Sequence, residues 1–200
     1  MIVQPALALR ILSFVIAILV FWFISTRKRG DKKQIVEAFI SNLTTWVLFF
    51  IGVKVITKWE ILLDHPLAVL AYPSGTLEFY IASLLTMLWL IRKSSSSRSF
   101  LYEHVQLVAY SLFIFAFMSV IVLGEQGLFH LLFPFLFSIL ITLVRAPLVM
   151  IICVSLISGM AGLVGQTPEI MGYRMDGWFY FGIAGIAALL FFNEKRRGRL

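Results

Sequence analysis

The chain has 200 residues, 60% hydrophobic and only 14% charged, with a mean hydropathy of +0.96. Soluble domains run at about 45–50% apolar and about 25% charged, so the composition excludes an ordinary soluble domain and points to an all-α, polytopic integral membrane protein. The net charge of +7 is gathered in short basic segments between or after apolar runs, which is a signature of membrane orientation and not of nucleic-acid binding.

The first apolar run predicts a helix near 5–25. It is followed by TRKRGDKK and not by a small-x-small cleavage site, so it is expected to stay in the mature protein. Further spans are expected near 36–57, 76–91, 104–123, 128–144, 147–164 and 177–192, giving a single transmembrane bundle over residues 1–200. Roughly 20 apolar residues cross a bilayer core as a helix. Residues 128–164 form an almost unbroken apolar block, which as one helix would be roughly 55 Å long. Arg145 and Pro147 divide it, because proline suits the first turn of a new helix.

Lys and Arg set the orientation. With the N-terminus outside, Arg27, Lys28, Arg29, Lys32 and Lys33 fall inside, as do Arg92, Lys93 and Arg98, then Arg145, then Lys195, Arg196, Arg197 and Arg199. Arg10, Lys54, Lys58 and Arg174 fall outside. A cytoplasmic C-terminus and a multi-pass location in the cell (cytoplasmic) membrane follow as expectations.

Between the second and third spans, residues 59–75 are apolar but broken by Asp64-His65-Pro66. They are expected to lie along the outer interface as one or two short pieces. The turn PSG then leads to Glu78. With Gly75 as N-cap, Glu78 is at N3, where its carboxylate can reach back to the N-cap amide and meet the positive end of the helix dipole. The alternative is that Glu78 faces a polar cavity as a catalytic acid or base, since ionisable groups at membrane depth usually face the bundle interior. Arg10 can snorkel to headgroups or pair with a carboxylate, and Lys54 has the same options. On the fourth span Glu103, Gln106 and Tyr110 share a face suited to inter-helix hydrogen bonds. Pro134 is expected to kink the fifth span. The sixth and seventh spans carry SGMAGLVG and FGIAGIAA, whose small residues let backbones approach closely. Tight packing is expected, with Gly162 and Gly185 at the contact.

His65 and His130 are further candidate acid–base groups on the outer side. Arg10, Tyr173 and Arg174 are candidate substrate-binding residues, suited to an anionic lipid headgroup. No His/Cys/Asp/Glu spacing matches a metal site, and no cofactor is implied. Cys153 stands alone, which excludes a dithiol couple, and is expected to be buried. Seven spans with the N-terminus outside is a topology shared with retinal proteins, receptors and prolipoprotein diacylglyceryl transferases. The seventh span has no lysine for a retinal Schiff base, and the signatures of the other two are missing. The expected role is a non-catalytic membrane protein, either a transporter subunit or a binding or assembly partner of another membrane or secreted protein. The alternative is a membrane-embedded enzyme acting on a lipid or lipid-linked substrate at the outer leaflet. The expected partners are the bilayer, with another membrane protein or a lipid headgroup beyond it.

Overall fold

The computed structural model describes residues 5–64, 75–92, 100–124, 128–144, 146–165 and 169–196. Its elements are α1 (Pro5–Ile24), α2 (Arg29–Thr57), α3 (Trp59–Asp64), α4 (Thr76–Arg92), α5 (Leu101–Met118), α6 (Leu128–Leu143), α7 (Pro147–Leu163), β1 (Glu169–Ile170), β2 (Tyr173–Arg174) and α8 (Gly177–Arg196). The last turn of α5 continues as a π-helical segment, Ser119–Leu123, which ends on Gly124 in the left-handed conformation. Helices thus occupy each of the ranges read from the apolar runs. Pro5 and Pro147 begin α1 and α7, where a missing N–H is harmless. α2 starts seven positions earlier than the apolar run, at Arg29 instead of 36. Asp31 in its first turn favours this extension by opposing the helix dipole.

Four helices are long and apolar enough to cross a membrane: Pro5–Ile24, Arg29–Thr57, Leu101–Leu123 and Gly177–Arg196. Thr76–Leu90, Leu131–Leu143 and Pro147–Leu163 are shorter and also apolar. Many large apolar side chains face outward, while a number of polar ones lie within the mainly apolar core. Phe23, Leu143, Val164 and Leu189 are exposed, whereas Ser13, Thr86, Glu103, Gln106, Ser111 and Ser158 are buried.

The chain divides into two compact units, one of Met1–Thr26 with Leu101–Leu200, the other of Arg27–Phe100. In the smaller unit α2 packs on α4. The Trp46 indole donates to the Ser83 hydroxyl at 3.1 Å, and its ring meets Phe79 edge-on at 5.2 Å between centroids.

In the larger unit α5 is central, packing against α1 and α6, while α7 packs on α8. One apolar cluster, Ala109, Phe137, Ile141 and Met150, lies towards the N-terminal half of α5. A second, Leu9, Phe115 and Met171, joins α1, the C-terminal half of α5 and the β-hairpin. Glu103, Gln106 and Tyr110 are all buried. Gln106 donates to the Tyr110 hydroxyl at 2.7 Å, and that hydroxyl bonds Thr142 of α6 at 3.0 Å. α6 runs through Pro134 as one helix. The Ser138 hydroxyl lies within hydrogen-bond reach of both the Pro134 carbonyl at 2.8 Å and the Ala109 carbonyl of α5 at 3.0 Å.

The α7–α8 pair packs closely through Gly159 and Gly162 of the SGMAGLVG stretch, as the sequence suggested, but against Gly177 and Phe181 and not against Gly185. A Cβ on Gly159 would stand 2.8 Å from the Phe181 ring, and one on Gly177 would stand 3.1 Å from the Gly159 carbonyl oxygen. Gly162 lends its backbone to this contact, since its Cα would lie 3.7 Å from that same Gly177 Cβ. Gly185 faces open space, so its small size serves no contact among the described residues. Cys153, expected to be buried, is exposed.

Gly159→Val is therefore expected to destabilise the chain by about 1–3 kcal/mol through overpacking, read as a lower melting temperature in detergent. Gly185→Ala should be neutral or raise stability by up to about 1 kcal/mol through helix propensity. Equal losses at both positions would show that the close approach does not hold the pair.

Candidate functional site

The sequence candidates separate into two places. Glu78 belongs to the smaller unit, whereas Arg10, Tyr173 and Arg174 belong to the larger. His65 lies outside the described residues. His130 falls within α6, but its side chain lies outside them.

Glu78 is only 4% exposed. One carboxylate oxygen accepts the Gly75 N–H at 2.8 Å, and the other accepts the Thr57 hydroxyl at 3.0 Å. α4 begins at Thr76, so Gly75 holds the N-cap position and Glu78 closes one half of a capping box. A Cβ at Gly75 would lie 2.9 Å from the Glu78 oxygen, so a side chain there would make the carboxylate shift. The second oxygen ties the start of α4 to the end of α2. Lys54, also buried, interacts electrostatically with Glu78, as does Lys58. The carboxylate thus anchors a helix junction beside two cations.

Arg10 performs a comparable task in the larger unit. Its Nε donates to the Met171 carbonyl at 2.8 Å, and its Nη1 donates to the Tyr173 hydroxyl at 3.0 Å. The guanidinium also lies 4.3 Å from the Tyr173 ring centroid. The hairpin pairs Glu169 with Arg174 and Ile170 with Tyr173, leaving Met171 and Gly172 as a two-residue turn. Both have positive φ, 53° and 77°, as a type I′ turn requires. Asn-Gly is the usual solution, and a methionine held in this region costs about 1–3 kcal/mol. Two contacts offset that strain. Its side chain is buried against Leu9 and Phe115, and its carbonyl accepts a charged hydrogen bond, a class worth about 1.5–3 kcal/mol. Ser13 donates to the Arg10 carbonyl at 2.7 Å, which steadies the same turn of α1. Arg174 is exposed on the outer face of the hairpin, opposite Glu169, as an opposite charge pair in register.

The sequence reading missed the hairpin, because no Asn-Gly or Asp-Gly marks its turn. It also missed a cavity of about 400 Å³ in the larger unit, walled by α5, α6, α7, α8 and the hairpin. Glu169, Ile170, Met171 and Gly172 line one end, and His104 and Val105 the other. The wall is mainly aliphatic and aromatic, with Ser119, Ser155, Ser158 and Tyr180 among its polar members. No sequence signal marks it, since its lining residues look like ordinary apolar span positions. Among the described residues, no three His, Cys, Asp or Glu side chains gather as a metal site would need. Comparison with family models, with curated proteins and with solved structures returns no match.

If Glu78 acts as a cap, Glu78→Gln should be tolerated, because glutamine also closes a capping box and its amide can donate to the Thr57 hydroxyl. Glu78→Ala should lower stability by about 1 kcal/mol or more, through loss of the cap and of the Thr57 bond. Thermal melts of the two variants check this, and a matched loss in both would refute the cap. Arg10→Lys keeps the charge but loses the fork. Amide exchange over 169–174 is expected to quicken by about tenfold or more, and an unchanged rate would show that Arg10 does not hold the hairpin.

Proposed function

We propose that the chain crosses a cell (cytoplasmic) membrane seven times, with its N-terminus outside and its C-terminus in the cytoplasm, and acts as a non-catalytic binding or assembly partner or transporter subunit. The many large apolar side chains turned outward, with several polar ones kept inside, suit a hydrocarbon surrounding, where unsatisfied polar groups cost several kcal/mol each. The basic segments support the orientation. α4, α6 and α7, with 17, 16 and 17 residues, are about 24–26 Å long. They fit a core of about 30 Å once their flanks are counted.

The observation that carries the non-catalytic reading is the engagement of both best candidates. Both oxygens of Glu78 accept hydrogen bonds from Gly75 and Thr57, and Arg10 is turned onto the hairpin. Each is placed as a structural clamp rather than presented to a substrate. The enzyme reading would instead use the buried Glu78 beside Lys54 and Lys58 on a lipid at the outer leaflet.

A reporter active only outside the cell is expected to be silent when fused after Leu200 or inserted at Ser96 or Arg145, and active when inserted at Gln126. The reverse at any one point would overturn seven spans or their orientation. In nanodiscs containing lipids of the producing membrane, mass spectrometry should find no lipid consumed over time. A converted lipid that depends on wild-type protein and vanishes with well-folded Glu78→Gln would replace the partner reading with the enzyme.

A further inference from the structure

We propose that the cavity of the larger unit is a binding site for one long hydrocarbon chain whose head is an uncharged hydrogen-bonding group, held at Ser119. Size comes first. The lining follows α5 from His104 to Val120, which is about 24 Å of helix axis. A cavity of about 400 Å³ drawn out along that length has room for an extended hydrocarbon chain.

Polar side chains are more numerous towards the hairpin, with His104 the polar member at the other end. At the end lined by His104 and Val105, the walls are Val108, Phe137, Ile151 and Val154. Towards the hairpin come Ser155, Ser158, Tyr180, Ser119 and then Glu169. An amphiphile would place its head under the hairpin and its tail towards the start of α5. Among the described lining residues there is no lysine or arginine to pair with a negatively charged head.

Ser119 marks the head position. It is 2% exposed, lines the cavity, and its hydroxyl has no hydrogen-bond partner among the described residues. A buried hydroxyl left so costs about 1–3 kcal/mol. Other buried helical serines satisfy themselves locally: Ser111 donates to the Val108 carbonyl, Ser138 to that of Pro134 and Ser158 to that of Val154. Ser119 stands instead at the first position of the π-helical segment. Such segments are frequent at functional sites, where they re-aim a side chain at the expense of regular bonding. A carrier, a lipid-regulated partner or an enzyme could each use such a site.

The test uses a monoacylglycerol bearing a photoreactive group at its chain end, added to the full chain in phosphatidylcholine nanodiscs. Illumination should label peptides containing Val105–Val108 and Ile151–Val154, and excess unlabelled monoacylglycerol should abolish it. Ser119→Ala should cut labelling at sub-saturating probe by about three- to tenfold, the worth of one hydrogen bond, while leaving the ligand-free melting temperature equal or higher. Ala116→Leu, which narrows the cavity at another lining position, should also cut it. A fatty acid with the same photoreactive chain should label less well. Any of four results overturns the proposal: undiminished labelling of both variants, a lower ligand-free melting temperature for Ser119→Ala, stronger labelling by the fatty acid, or label spread over outward residues such as Leu140, which would mean boundary lipid only.

Discussion

The guanidinium of Arg10 governs one whole end of the larger unit. It approaches from α1, bonds the carbonyl of a residue in a strained turn, and lies against the ring of Tyr173 two residues on. Without that charged bond, Met171 would hold an unfavourable backbone conformation supported by side-chain burial alone. Because the turn is kept, Met171 can pack against Leu9 and Phe115, and the hairpin can close over the end of the cavity. An arginine that sequence alone would assign to lipid headgroups is thereby an internal brace. Its long side chain lets a charge near the end of a span reach a backbone carbonyl far along the chain.

Glu78 follows the same logic in the smaller unit. A charge in an apolar setting is tolerated when its hydrogen-bonding capacity is filled, and here a backbone amide and a threonine hydroxyl fill it. The polar groups of α5 and α6 obey that rule too, with Gln106, Tyr110 and Thr142 meeting one another. Ser119 breaks it. Where most buried polar side chains have a local remedy, a hydroxyl left over beside a cavity is informative.

Much of the fold was legible because span length and apolar composition are properties of the local chain. The divisions at Arg145-Pro147 and Gly75-Thr76 follow from proline and glycine chemistry, and the helices begin where those residues place them. The capping role of Glu78 was one of two readings that its three-residue spacing from Gly75 allowed. The glycines of α7 and α8 were read only halfway. Small residues mark helices able to approach closely, but which of them meet depends on rotation about the helix axes, and that put Gly159 and Gly177 at the contact and left Gly185 open. Cys153 turned outward for the same reason.

The sequence by itself determined the helical class, the position of the apolar helices and the chemistry available at their ends, because these depend on hydropathy, proline and capping over a few neighbouring residues. Tertiary structure alone decided what the charges do and where a ligand can sit. Arg10 and Met171 are 161 positions apart, and no local pattern relates them. The cavity is bounded by four helices and a hairpin, each ordinary in sequence, and it arises from how those elements pack together.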